Sequence, residues 1–240
     1  MNVSYLNVDC LKNQELFAEK FQQMSSQRKE KILSYKYDSD KRLSLGAGIL
    51  LDEGLKKIGY REKELICLFN EKGKPYYKEL PQFYFNLSHS GHYAAAVFGD
   101  TPVGIDIEEK KSDKMRLSIA KRFFHEKEYT LLKNIENKKE QAELFYRIWT
   151  LKESFVKAAG EGMSISFSSF CTLPYEIFPQ TNATAINNTK ERKLTIGNEF
   201  SIETEQTRAI YFKQYDKIQG YCLAVCLQDN KEIEWRKVQI

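Results

Sequence analysis

Leu16, Phe17, Phe21 and Met24 recur at three- and four-residue spacing, which predicts an amphipathic helix over residues 14–24. Ser25 or Ser26 can cap a second helix behind it. Asp38 or Ser39 can cap a third, which carries Leu43, Ala47, Leu50, Leu51 and Leu55 to a stop at Gly59. The pattern then changes period. Residues 65–69 read as a strand, and Gly73 and Pro75 turn the chain. Phe83, Phe85 and Leu87 alternate as on a half-buried strand, residues 88–92 read as a polar loop, and residues 93–98 form a near-continuous apolar strand. After a turn at residues 99–102, Val103, Ile105 and Ile107 alternate again. Helical spacing returns around residues 119–132 and over residues 139–159, where Gly160 and Gly162 end it. Strands are expected at 165–173, 194–202, 209–215 and 221–227, with a polar loop at 182–193.

Runs of helices followed by runs of strands favour an α+β fold over a βαβ winding. Both parts of the chain end on a Tyr-led apolar strand, at Tyr93 and at Tyr221, which suggests two similar α+β halves. The division is expected near Pro102, giving an N-terminal half of residues 1–102 and a C-terminal half of residues 103–240.

Composition narrows the function classes. Thirty-seven basic and 33 acidic residues leave a net charge of +4, too mild to indicate nucleic acid by itself and compatible with an anionic ligand or an acidic partner. The apolar runs are too short to span a membrane. The first ten residues lack the basic and long apolar regions of an export signal, so a cytoplasmic location is expected. Cys10, Cys67, Cys171, Cys222 and Cys226 are scattered and odd in number, which argues against a disulfide framework or a zinc site.

Two clusters carry chemistry. Val103, Ile105 and Ile107 share one face of a strand, so Asp106 and Glu108 share the other. Paired acids suit a hard divalent cation bound through oxygen, as magnesium is when it also takes phosphate oxygens. A solvated strand face would look the same. Further on, Leu144, Ile148, Leu151, Phe155 and Ala158 form an apolar helical stripe, with Glu153 and Lys157 four apart and away from it. Alone, that pair reads equally as a surface ion pair.

The combination is more specific. A Gly73-Lys74-Pro75 turn, Phe85-Asn86-Leu87-Ser88-His89-Ser90, Gly104-Ile105-Asp106-Ile107-Glu108, Lys121-Arg122-Phe123-Phe124 and Trp149-x-x-Lys152-Glu153-x-x-x-Lys157 occur in this order. The constellation resembles the 4'-phosphopantetheinyl transferase superfamily, in its longer, single-chain, surfactin-synthetase-activating type. The resemblance implies an α+β fold of two similar halves related by a pseudo-two-fold, with the ligand between them and the chain acting as a monomer. It implies transfer of 4'-phosphopantetheine from coenzyme A to a serine of an apo acyl or peptidyl carrier protein of nonribosomal peptide or polyketide synthases, releasing adenosine 3',5'-bisphosphate. No nucleic acid and no membrane partner is implied.

By the same resemblance Asp106, Glu108 and Glu153 hold Mg2+, with Mn2+ as a substitute, and Glu153, Lys157 and His89 are the catalytic set. Lys157 neutralises the leaving phosphate and Lys152 adds to its field; Glu153 is a candidate base, although a metal-bound carboxylate is a poor one. Arg28, Lys31, Arg42 and His89 meet coenzyme A phosphate, Gly73, Lys74 and Pro75 support the adenine, and Ser88 orients the nucleotide. The Lys121–Phe124 segment faces the acidic carrier, or else is a plain amphipathic helix with Phe123 in the core. Two readings compete: a non-catalytic coenzyme A or carrier-binding module on the same scaffold, and an unrelated magnesium-dependent nucleotide hydrolase, the latter without a phosphate-binding G-x-x-x-x-G-K-[ST] loop.

Overall fold

The computed structural model describes residues 1–111, 113, 115, 117–160, 162, 165–173, 199–203 and 209–240. Strand β1 (Asn2–Asn7) leads through a short 3-10 turn into α1 (Gln14–Gln22), α2 (Ser26–Ser34) and α3 (Asp38–Lys56). Asn13 caps α1 by accepting the Leu16 N–H, and Ser25, not Ser26, caps α2 by accepting the Arg28 N–H. Helix α3 begins at Asp38 without a side-chain cap; Asp38 and Asp40 instead place negative charge against its positive end. Every residue from Leu43 to Asp52 is buried, because α3 lies between a sheet and the α1–α2 layer.

Strands β2 (Leu68–Phe69) and β3 (Pro75–Tyr76) form a two-stranded hairpin, shorter than the strand expected over 65–69. Strand β4 (Tyr84–Ser90) is longer than expected: the residues read as a loop, Ser88 to Ser90, continue the strand, and only Gly91 and His92 turn the chain into β5 (Tyr93–Gly99). After β6 (Val103–Glu109), the helical stretch expected as one is two helices, α4 (Leu117–Phe123) and α5 (Glu126–Lys133), broken where His125 caps α5. Helix α6 (Lys138–Ala159) starts at an Asn137 cap and ends at Gly160, whose φ of 74° suits a residue without a β-carbon. Residues 165–173 are not a strand; Phe167–Ser169 is a 3-10 turn. The loop expected at 182–193 and the start of the strand expected at 194–202 lie outside the described residues. Strands β7 (Glu199–Glu203), β8 (Ala209–Tyr215), β9 (Tyr221–Leu227) and β10 (Glu234–Lys237) complete the chain.

The α+β class holds. One sheet has the order β10-β1-β5-β4, the other β6-β9-β8-β7. All pairs in them are antiparallel except β1 with β10, so the last strand returns to the sheet of the first half and crosses the expected division at Pro102. Val3, Tyr5, Ala95 and Val97 of the first sheet share one core with Val103, Ile105, Ile107, Leu223 and Val225 of the second. The opposite faces are covered by α3 and α6: Ala94, Ala96 and Phe98 join the α3 core, and Ala224, Cys226 and Phe212 join Leu151 and Ala158 of α6. Among the described residues no helix is long and apolar enough to cross a membrane.

Candidate active site

Period-2 geometry turns Val103, Ile105 and Ile107 into the inter-sheet core and leaves Gly104, Asp106 and Glu108 facing α6. Helix α6 lies hard against β6 because Gly104 has no side chain: a β-carbon there would collide with the Ser154 carbonyl oxygen and the Ala158 amide nitrogen. This close approach brings Glu153 and Lys157 to the carboxylates of β6. Together with Leu87, Ser88, His89 and Trp149, these four residues line an open cleft of about 320 Å³.

Asp106 is 2% exposed. Its Oδ1 accepts from Lys157 Nζ at 2.6 Å and from Ser88 Oγ at 2.9 Å, while Oδ2 is buried with no hydrogen-bond partner. A buried carboxylate oxygen without a donor is costly, which fits a position meant for a cation. Burial and the neighbouring Asp106 charge push the Glu108 carboxyl up to about 7, although Ser90 donates to it at 2.9 Å. Burial also raises Glu153, with Lys157 opposing. Burial alone would lower Lys157, but Asp106, Glu153 and Glu108 outweigh it and hold the ammonium above its ordinary value. The pocket is thus a crowded acidic face with one firmly charged lysine. Among the described residues no three acidic, histidine or cysteine groups are close enough to hold a metal as placed. The all-oxygen donor set of Asp106, Glu108 and Glu153 nevertheless suits a hard divalent cation.

His89, on β4, is exposed at the edge of this cleft. Partial desolvation, then the Lys31 charge and more weakly that of Lys157, hold its pKa below the ordinary imidazole value. Lys31 on α2 is lowered by desolvation and by Arg28. Arg28 itself is turned inward, 3.5 Å from the buried Glu62 carboxylate, and Asp38 is lowered first by its hydrogen bond from Lys41 and only weakly by Arg42. In the Gly73–Pro75 turn, Asn70 Oδ1 accepts the N–H groups of Lys72 and Lys74. The Lys74 ammonium does not turn outward; it donates to the Ala158 carbonyl at 2.8 Å and to the Val103 carbonyl at 3.3 Å, tying this turn to the end of α6.

Lys152 does not join the cleft. Its side chain is fully buried and pairs with Glu128 of α5 at 2.8 Å, and it donates to the carbonyls of Phe167 and Phe170 at 2.6 Å each. Glu128 also accepts from the backbone N–H of His125 and from the Thr172 N–H and hydroxyl. The expected contribution of Lys152 to the phosphate field is therefore replaced by a structural one. Phe124, not Phe123, enters the core; Phe123 is exposed, with the Arg122 guanidinium 5.1 Å from its ring centroid.

The sequence places Asn86 and Ser90 in the Phe85–Ser90 motif but gives them no role. Their signal is the alternation Asn86, Ser88, Ser90, a polar face on a strand whose other face carries the buried Phe85, the half-buried Leu87 and the exposed His89.

Comparison with known proteins gives the family. Residues 102–226 match the model of the 4'-phosphopantetheinyl transferase superfamily, and residues 12–99 match that of the 4'-phosphopantetheinyl transferase N-terminal region. The chain is 32% identical over 205 residues to the 4'-phosphopantetheinyl transferase Sfp of Bacillus subtilis, covering 85% of this chain and 81% of that protein. It is 37% identical over 137 residues to psf-1 of Bacillus pumilus (57% and 58% of the two chains), and 32% identical over 148 residues to gsp of Aneurinibacillus migulanus (61% and 60%), both 4'-phosphopantetheinyl transferases. With these matches along the chain, and Asp106, Glu108, Glu153 and Lys157 gathered in one cleft, the chain belongs to the 4'-phosphopantetheinyl transferase superfamily.

Proposed function

We propose that this transferase moves 4'-phosphopantetheine from coenzyme A to the serine of an apo acyl or peptidyl carrier protein in a Mg2+-dependent reaction, and that adenosine 3',5'-bisphosphate leaves. The observation that carries this reading is the set of three carboxylates and one lysine on a single cleft, with Asp106 Oδ2 buried and unpartnered. Asp106, Glu108 and Glu153 would hold the cation, which when bound neutralises the diphosphate and the charge growing on the departing phosphate.

The carrier serine oxygen forms a bond to the β-phosphorus of coenzyme A. The bond from that phosphorus to the bridging oxygen breaks, and its electron pair leaves with the adenosine bisphosphate. Lys157, held charged by its acidic neighbours, faces the diphosphate and stabilises that leaving oxygen. Glu153 is the candidate acceptor of the serine proton, a role that the cation weakens when it draws on the same carboxylate. His89 presents a ring N–H to the 3'-phosphate, with Lys31 and Arg42 supplying charge from the α2–α3 side; Arg28, held inward by Glu62, would have to leave that pair to join them. The backbone of the Gly73–Pro75 turn supports the adenine. The exposed Lys121, Arg122 and Phe123 offer a basic and aromatic surface to an acidic carrier, such as those of peptide or polyketide synthases.

The test is intact-mass spectrometry of a panel of apo carrier proteins with coenzyme A and Mg2+. Wild type is expected to add the mass of one phosphopantetheine. Asp106→Asn and Glu153→Gln are expected to lose this transfer while melting within a few degrees of wild type, since both keep side-chain shape. No mass gain on any carrier would end the proposal, and adenosine bisphosphate released without a carrier would replace it with a hydrolase.

A further inference from the structure

Strands β4 and β6 run side by side in the same direction but belong to different sheets, with no backbone ladder between them. Side chains make the rungs instead. The Ile105 N–H donates to Asn86 Oδ1 at 3.0 Å, the Ile107 N–H to Ser88 Oγ at 3.4 Å and the Glu109 N–H to Ser90 Oγ at 3.1 Å. Because both strands have a period of two, the same three positions of β4 meet alternate amides of β6.

The second and third rungs continue into the acidic face. A serine hydroxyl has a single proton and two lone pairs. When an amide of β6 occupies a lone pair, the proton is left for another acceptor. Ser88 gives it to Asp106 and Ser90 gives it to Glu108, each at 2.9 Å. The two rungs differ in one respect. Ser88 also accepts from Lys157 at 3.2 Å, so Asp106 is held by a serine and a lysine together. Among the described residues Ser90 is the one hydrogen-bond donor on Glu108.

Ser90 is itself fixed from the following turn. Gly91 has a φ of 56°, and a β-carbon there would collide with the Tyr221 hydroxyl and the Glu109 carboxylate. The next amide, of His92, donates to that hydroxyl at 2.9 Å. The end of the β4–β5 hairpin is therefore clamped to the second sheet by Tyr221 of β9, and Ser90 cannot drift away from β6.

We propose that Ser90 is a positioning residue: by accepting the Glu109 N–H it aims its proton at Glu108 and holds that carboxylate in the orientation in which it meets the divalent cation. This rests on Glu108 being a cation ligand, as put forward above. A partner that orients a ligating carboxylate contributes through affinity for the metal, and its loss costs about 10-fold or more in metal affinity.

The experiment measures Mn2+ binding to the full chain in the presence of coenzyme A, from the electron paramagnetic resonance signal of free Mn2+, for wild type, Ser90→Ala, Ser90→Thr and Glu108→Gln. Ser90→Ala is expected to bind Mn2+ about 10-fold more weakly, to keep its KM for the carrier protein, and to regain kcat when Mn2+ is raised. Ser90→Thr, which keeps the hydroxyl, is expected to bind close to wild type and guards against a folding defect. If Glu108→Gln weakens Mn2+ binding and Ser90→Ala does not, the role given to Ser90 is wrong. A loss in Ser90→Ala that neither threonine nor excess Mn2+ restores assigns Ser90 to the scaffold alone and also overturns the proposal. If Glu108→Gln binds Mn2+ like wild type, the cation assignment itself fails, and the proposal fails with it.

Discussion

Lys152→Met separates two roles for the lysine that precedes Glu153. In the structure its ammonium has three acceptors, Glu128, Phe167 and Phe170, and it sits 4.2 Å from the centroid of the Phe170 ring. Both ends of the Lys152–Glu128 pair are completely buried. Removing the lysine leaves a carboxylate in the core with no cation and two carbonyls with no donor. Breaking a buried, hydrogen-bonded pair from one side costs about 3–5 kcal/mol. For a chain of this size about 2–4 °C of melting temperature go with each kcal/mol, so the midpoint should fall by roughly 6–20 °C. The double variant Lys152→Met with Glu128→Gln removes the stranded charge and keeps one acceptor oxygen, for the His125 or the Thr172 amide but not both, so it should recover part of the loss. The assays are thermal and urea unfolding, with coenzyme A affinity by titration calorimetry well below the transition. Coenzyme A affinity should change little. A Lys152→Met protein that melts like wild type but has lost coenzyme A affinity would place this ammonium on the phosphate and refute the structural role.

Two further perturbations follow from the packing. Gly104→Ala puts a methyl group against the α6 backbone at Ser154 and Ala158, which cannot yield as a side chain would, so destabilisation of about 1–3 kcal/mol by urea unfolding is expected, with a loss of transfer as α6 moves away from β6; wild-type stability and activity would contradict the close approach. Burial holds Lys74 at about 8, against 10.5 for a free lysine. In that window the unfolded chain binds the additional proton, so stability gains up to about 3 kcal/mol from this group as pH rises from 8 to 10.5 and loses it as pH falls. Urea midpoints of wild type relative to Lys74→Met should diverge across that range, and parallel curves would show that the ammonium is not desolvated.

What could be read from the chain was what has a period. The alternation of Val103, Ile105 and Ile107 against Asp106 and Glu108 fixes which residues face the cleft, and the three-and-four spacing of Leu144 to Ala158 places Glu153 and Lys157 one turn apart. Lys152 escaped because α6 is buried on more than one side: the stripe toward the sheet says nothing of the neighbouring face, with Phe145, Trp149 and Lys152, that is packed under α5 and the 167–172 segment. Ser88, His89 and Ser90 looked like a loop because their polarity resembles solvent exposure, whereas the serines are buried or half-buried and satisfied by amides of β6. The alternation Asn86, Ser88, Ser90 marks a polar face, but the amides that satisfy it are in place only once two sheets meet. The same holds for β10, a four-residue strand whose partner, β1, lies at the other end of the chain. Cleft residues set by strand and helix periodicity were legible; Asn86 and Ser90, which act through a neighbouring strand, were not.

The pairing of β1 with β10 has a consequence for how the molecule is made. A ribosome that has released the first hundred residues has exposed strands β1, β5 and β4 with both borders open, and the segment that covers the β1 border, at Glu234–Lys237, follows only after the second sheet. Until then the nascent chain carries an unpaired strand able to recruit a neighbouring copy. Cutting the gene at Pro102 to express two pieces would freeze that state permanently, so the amino-terminal piece is expected to aggregate unless the tail peptide is supplied alongside it.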